Sequence, residues 1–349
     1  MSAQEMPASR SFHMGFTPLP YDFTEAAFAD TYERIAANGD IIAHHLDEGV
    51  PWTEALENRP YADNVRQDIQ RRVNGTPAGK AVFLSITPLA LTRTGLAQYW
   101  SADSHMENPA SFQDAPLDSD QVKQAFTAYA LEMIRTFRPK YFAYAIEISD
   151  LADAGPTRDA FVALAAHVYR EVKAAHPDLM VFPTYTLGNG DYLDRGLASL
   201  MRDLAPYTDV VAVSTYPYVW DGVGGDASRL PADWFSKVAR ILPDKPFAVA
   251  ETGFLGGDYT NLMSLVWINS STDSQAAYVR RLFGEADALD AEFVIWYVPR
   301  DYDPLWEKMR ANGMNRWFAQ WMRTGLWTAG GEGRPALTDW QAWLALPRR

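Results

Sequence analysis

The sequence has 349 residues, 48% of them hydrophobic and 21% charged, with no cysteine and a formal net charge of −13. That charge argues against nucleic acid and anionic membranes as partners. The absence of cysteine excludes disulfides, thiolate catalysis and Cys-based zinc sites.

Residues 1–11 are polar and are expected to form a disordered tail. They lack the apolar core of a secretion signal, so a secreted or periplasmic location requires a signal already removed; a cytoplasmic location is the alternative. No run approaches the roughly 18 apolar residues of a membrane span. A first strand is expected over Phe12–Leu19 and a helix over about Glu25–Asn38, with Thr24 as N-cap and Phe28, Tyr32 and Ile35 as its apolar stripe. A second strand, Ile41–Leu46, leads through a loop to a helix over about Tyr61–Val73. A third strand, Ala81–Thr87, precedes a polar loop over about Leu91–Leu117, long enough to be functional or mobile.

Apolar residues at helical spacing predict helices over about Asp120–Phe137 and Arg158–Ala175, flanking a fourth strand, Tyr141–Ile148. Then come a strand at Leu179–Thr186, a helix over about Tyr192–Leu204, a strand at Asp209–Tyr216 and a helix over about Ala232–Ile241. Strand 7 is Pro246–Glu251. The next helix, about Asp273–Leu289, opens on a capping box, Thr272-x-x-Gln275. Strand 8 is Glu292–Tyr297, and helix-like stretches lie near Met314–Arg323 and Thr338–Leu346. Eight short apolar strands alternating with helices imply a parallel sheet, closed as a single-domain (β/α)8 TIM barrel. An open doubly wound sheet is the rival, but no Gly-x-Gly-x-x-Gly follows the first strand.

Reactive groups in such barrels lie at the C-terminal ends of strands. Two glutamates do so here: Glu147 on strand 4 and Glu251 on strand 7. Ala143, Ala145 and Glu147 share one face, a small-residue face suited to the barrel interior. On strand 7 parity decides nothing, since a size rule places Ala248 and Ala250 inside and Glu251 outside, whereas Val249 also suits a barrel interior. His44 and His45 on strand 2 are candidate substrate contacts, with a structural role as the alternative and His45 preferred as the inward residue; adjacent strand residues point to opposite faces, so the pair is not read as a metal site. Paired carboxylates suit retaining glycoside hydrolysis, one protonating the leaving oxygen while the other attacks the anomeric carbon, with the carboxyls roughly 5–5.5 Å apart. The competing reading makes them rim charges paired with Arg or Lys. Asp47, Asp150, Trp220, Arg300 and Asp301 follow strand ends and are candidate substrate contacts, with a surface Arg–Asp pair as the alternative for the last two.

The order and spacing of the strands resemble the clan of retaining glycosidases on the (β/α)8 barrel. DVVAVSTYPYVWDG (Asp209–Gly222) followed by KPFAVAETGF (Lys245–Phe254), with SQAAYVRRL (Ser274–Leu282), is similar to the endo-β-1,4-galactanase family. The resemblance implies a carbohydrate substrate, no cofactor, Glu147 as acid/base and Glu251 as nucleophile. It also implies Tyr216 as the tyrosine orienting the nucleophile and Trp296 as the aromatic floor of the cleavage subsite. Ile146 departs from the pattern, which has Asn before the acid/base. A catalytically inactive glycan-binding barrel, acting in polysaccharide uptake or biosynthesis, is the alternative function.

Overall fold

A computed structural model describes residues 6–188, 196–220, 222–261, 266–313 and 316–349. Its elements in chain order are β1 (His13–Phe16), α1 (Glu25–Asn38), β2 (Ile41–Leu46), α2 (Trp52–Glu57), α3 (Asp63–Gly75), β3 (Ala81–Ile86), α4 (Asp120–Phe137), β4 (Tyr141–Ala145), α5 (Pro156–Ala175) and β5 (Met180–Thr186). There follow α6 (Ala198–Leu204), β6 (Val211–Thr215), α7 (Ser236–Ala239), β7 (Phe247–Thr252), β8 (Tyr259–Asn261), β9 (Val266–Ile268), α8 (Thr272–Ala288), β10 (Phe293–Trp296), α9 (Asp303–Ala311) and α10 (Pro335–Leu344). Strands β1 to β7 and β10 close into a parallel barrel in sequential order; β8 and β9 form a separate antiparallel hairpin. The eight expected strands are these eight barrel strands.

The two faces of the strands separate cleanly. Ile41, Ala43, Phe83, Ala143, Phe182, Ala212, Ala248, Ala250, Phe293 and Ile295 belong to one buried cluster, and their strand neighbours to another. Rings from β3, β4, β5 and β10 meet in the first cluster, with Phe83–Phe293 centroids 4.8 Å apart and Tyr141–Phe293 4.7 Å apart. Side chains from such distant strands touch only inside a closed barrel, so this cluster is the interior and the larger one is the layer beneath the helices.

Helix ends follow local chemistry. Thr24 accepts from the Ala27 N–H and Ser119 from the Val122 N–H, capping α1 and α4. Helix α8 is capped one residue earlier than expected: Ser271 accepts from the Ser274 N–H, while Gln275 is buried and donates to the Phe254 and Thr324 carbonyls. The helix expected over about Ala232–Ile241 contracts to α7, and the start of the one expected over Tyr192–Leu204 lies outside the described residues. Helices α2 and α9 and the β8–β9 hairpin were not expected.

Of the expected tail, residues 1–5 lie outside the described set, and Arg10 is packed rather than free. Its guanidinium binds Asp40 at 2.8 Å, and its backbone bonds with Pro347 and Arg349 tie the two ends of the described chain together. No helix among the described residues is long and apolar enough to cross a membrane.

Candidate active site

Two irregularities in the barrel decide where the glutamates point. Between β6 and β7 the register runs Val213↔Val249 and then Ser214↔Glu251, so β7 carries one residue more than its neighbour. The β10 side shows the same excess, with Val294↔Val249 followed by Trp296↔Thr252. A bulge of this kind shifts the alternation of faces. Ala248 and Ala250 are inside, as the size rule has it, and the bulge brings Glu251 alongside Ser214 into the cavity at the barrel mouth.

On β4 a second shift lies between Ala143 and Ala145. Ala143 is interior, but Ala145 packs in the outer layer, so the simple alternation Ala143–Ala145–Glu147 fails. Glu147 reaches the cavity by a different route. Its backbone is left-handed, with φ 54°, at the junction of β4 and a 3-10 turn over Ile148–Asp153. A non-glycine residue there is uncommon and held by its surroundings; the Thr184 hydroxyl accepts from the Glu147 N–H at 2.8 Å.

Both glutamates line one cavity of about 910 Å³, with His45, Asp47, Arg93, Asp150, Tyr216, Trp220 and Tyr297 among its walls. The Tyr216 hydroxyl donates to Glu251 Oε1 at 2.5 Å; Thr17 Oγ1 and His45 Nδ1 lie 3.5 and 3.7 Å from Oε2. Burial pushes the Glu251 carboxyl above its ordinary range, as does the Glu147 charge, while His45, Tyr216 and Arg93 pull it back. Burial and the Glu251 charge hold the Tyr216 phenol far above its usual value, so it stays a donor. His45 lies 3.9 Å from Asp47. Burial alone would lower its pKa, yet Asp47, Glu251 and Glu147 together raise it. Asp47 is lowered: burial opposes its charge, but His45 and Arg93 prevail. Arg93 grips Asp47 with two bonds of 3.0 and 2.8 Å and donates to Glu147 Oε2 at 3.4 Å.

Of the other expected residues, Asp150 and Trp220 line the cavity. Trp220 sits over the loop after β5 because residue 188 is glycine; a Cβ there would come within 2.7 Å of the indole. His44 points away from the mouth: it is fully buried against Phe137, with Nε2 2.7 Å from Thr76 Oγ1. Trp296 is also in the outer layer, fully buried, donating to the Thr324 carbonyl. Tyr297, the next residue, lines the cavity in its stead and continues the inward alternation Phe293–Ile295–Tyr297. The peptide bond after it is cis.

Arg300 and Asp301 do not reach the cavity. Arg300 stacks on Tyr21 and binds Asp30 and the Ala329 carbonyl. Asp301 is bound by Arg334 through both oxygens at 2.8 and 2.6 Å. Each is ion-paired with a different partner and Asp301 is buried, so the two do not form the surface Arg–Asp pair of the alternative reading. Sequence reasoning missed Arg93, which lies in the long loop without a periodic signal, and Tyr259 and Ile268 of the unexpected hairpin, which also line the cavity.

No family model matches the sequence, and no curated protein does. Solved structures do. The GH53 catalytic domain of Ignisphaera aggregans superposes with a TM-score of 0.60 at 15% identity, covering 97% of each chain. Xylanase 10B of Thermotoga maritima gives 0.59 at 10% identity, over 96% of this chain and 95% of that one. A fungal β-1,4-galactanase gives 0.57 at 14%, over 88% and 90%. At these identities the likeness is one of fold: the chain has the eight-stranded parallel barrel of these glycoside hydrolases.

Proposed function

We propose that the protein is a retaining glycoside hydrolase acting on a poly- or oligosaccharide, with Glu251 as nucleophile and Glu147 as acid/base. The observation that carries the reading is the convergence of the two glutamates, from the ends of β4 and β7, on one cavity where Tyr216 donates to Glu251. Glu251 Oε1 is oriented by that bond, so Oε2 is the oxygen nearer to Thr17 and His45 and faces a polar wall. In the first half-reaction the Glu251 carboxylate bonds the anomeric carbon as Glu147 protonates the departing oxygen. In the second, Glu147 takes a proton from water as that water displaces the ester. His45 lies beside Glu251, and its attraction for the carboxylate opposes the burial that disfavours the charged form.

Tyr216, Tyr297 and Trp220 give the cavity aromatic walls against which the apolar faces of sugar rings pack. The fold neighbours named as galactanase and xylanase support a neutral glycan as substrate. The test is a screen of purified protein against a polysaccharide panel, read by product mass. On a substrate so found, Glu251→Ala abolishes turnover and azide partly restores it; full activity in both Glu251→Ala and Glu147→Ala rejects the reading.

A glycan-binding barrel without turnover is the second reading. Ile146, buried in front of Glu147 where the resembled pattern has Asn, favours it. Calorimetric binding of an oligosaccharide with no product after prolonged incubation would decide for it.

A further inference from the structure

Arg93 touches Glu147 directly and is joined to Glu251 through Asp47 and His45. It sits at the tip of a tight loop after β3, closed by the Leu89↔Leu96 bridge and by an Arg93 N–H to Ala90 carbonyl bond of 2.7 Å. Its backbone is left-handed, φ 59°, and its side chain is only 10% exposed despite lying in a loop. A non-glycine residue in that conformation points to a constraint that the loop serves. The constraint is the aim of the guanidinium. Asp47 takes Nη1 and Nη2 through its two oxygens, which fixes the plane of the group. Nη2 carries two protons: one goes to Asp47 Oδ2, and the other points at Glu147 Oε2. Asp47 in turn faces His45, and His45 faces Glu251, so a continuous polar path runs Glu147–Arg93–Asp47–His45–Glu251.

We propose that Arg93, braced by Asp47, is the positioning residue of Glu147: by occupying Oε2 it leaves Oε1 as the oxygen that gives and takes the proton. The proposal rests on the glycoside hydrolase reading. When Glu147 is protonated, Oε2 is its carbonyl oxygen and still accepts from Arg93, while the Oε1 proton passes to the glycosidic oxygen as the C–O bond to the anomeric carbon breaks and the Glu251 carboxylate bonds that carbon. In the second half-reaction Oε1 accepts a proton from water, whose oxygen bonds the anomeric carbon as the Glu251 ester bond breaks. Arg93 keeps the same contact in both states, and so neither adds nor removes a proton. Without it the carboxyl is free to turn and present either oxygen.

The test compares Arg93→Ala and Arg93→Lys with the wild type on methyl and 2,4-dinitrophenyl β-glycosides of galactose, glucose and xylose. A dinitrophenolate departs without protonation, whereas methanol does not. Arg93→Ala is expected to lose on the order of 10-fold or more in kcat on the methyl glycosides, a share of the roughly 10²–10⁴ that general acid–base catalysis contributes. Its kcat/KM on the dinitrophenyl glycosides should stay within about 3-fold of wild type, because that ratio reports a first step needing no acid. Guanidinium ion at millimolar concentration should restore part of the lost rate to Arg93→Ala, and Arg93→Lys, with one nitrogen for two acceptors, should fall between. An equal loss on both leaving groups, or no rescue, makes Arg93 a structural residue and overturns the proposal. If Glu147→Ala and Glu251→Ala lose turnover of the methyl glycosides while Arg93→Ala keeps it, the proposal fails alone. If both glutamate variants retain turnover of the methyl glycosides, the glycoside hydrolase reading fails and the proposal with it.

Discussion

The Tyr216 hydroxyl lies 2.5 Å from Glu251 Oε1, and the ring that carries it is fixed edge-on against Tyr218, Tyr297 and Trp321. The phenol cannot swing away without breaking those contacts, so the bond orients Glu251 as well as stabilising its charge. Tyr216→Phe keeps the ring packing and removes only the donor. We expect kcat to fall on the order of 10²-fold, the scale on which small misplacements of a reacting group act. The melting temperature should hold within a few degrees. A variant with unchanged kcat would show that Thr17 and His45 suffice to hold the carboxylate.

The barrel was legible in the sequence because its signal is repeated eight times: each strand is a short apolar run and each major helix an apolar stripe. The site was legible only to the level of which strand. Glu251 could not be aimed from alternation because the bulge at Ala250 adds a residue that no local pattern announces, and Glu147 is aimed by a left-handed backbone that propensity does not favour. Trp296 and Tyr297 show the same limit from the other side. Both are aromatic and adjacent at a strand end, and a resemblance chose the first. The alternation running inward through Phe293 and Ile295 selects the second, but it can be read only once the interior face is known. Arg93 had no signal at all, since its role depends on how a loop of irregular backbone folds back on Asp47.

His44 and His45 are neighbours with opposite titration. His44 is fully buried, and burial lowers its pKa to about 3. Its tautomer follows from the bonds around it: the Thr76 hydroxyl donates to the Arg72 carbonyl, so Thr76 Oγ1 accepts from His44 Nε2–H. Nδ1 is then a bare nitrogen, buried without a partner among the described residues, and protonation would place an unpaired cationic N–H there. A folded-state pKa below the unfolded value of about 6.5 means that the unfolded chain binds the proton first, so stability is lost as pH falls from about 6.5 towards 3. His44→Phe keeps the contact with Phe137 and abolishes the titration. Urea midpoints measured across that range should fall less steeply in the variant, by up to about 1.4 kcal/mol per pH unit. Parallel curves for the two proteins would assign the acid limb to other groups.

Asp40 is the opposite case at the base of the barrel. Burial would raise its carboxyl, but His13, the Met14 N–H and Arg10 outweigh it and bring it to about 2. A folded-state pKa below the unfolded one makes its contribution present above pH 4 or so and lost as pH falls towards 2. Asp40→Asn keeps one acceptor for the Met14 N–H and removes the charge facing Arg10. It should lower stability at neutral pH by about 1–3 kcal/mol, with the difference from wild type vanishing near pH 2. A difference that persists at pH 2 would mean that the variant disturbs packing rather than charge.

The Asp301–Arg334 pair is almost fully enclosed, with side chains 4% and 8% exposed. It ties the loop after β10 to the segment that leads into α10, because Asp301 also accepts from the Gly325 N–H and Arg334 donates to the Gly325 carbonyl. Burial nevertheless pushes the Asp301 carboxyl above its ordinary range, with Arg334 only partly compensating, so desolvation exceeds what the pairing returns. Two opposite outcomes follow for single and double replacement. Asp301→Ala leaves the Arg334 guanidinium buried without its carboxylate and should cost about 3–5 kcal/mol in urea unfolding. Combining Asp301→Leu with Arg334→Met removes both charges and fills the space, and should cost less than the single change. A double variant at least as unstable as Asp301→Ala would mean that the pair returns more than its desolvation costs.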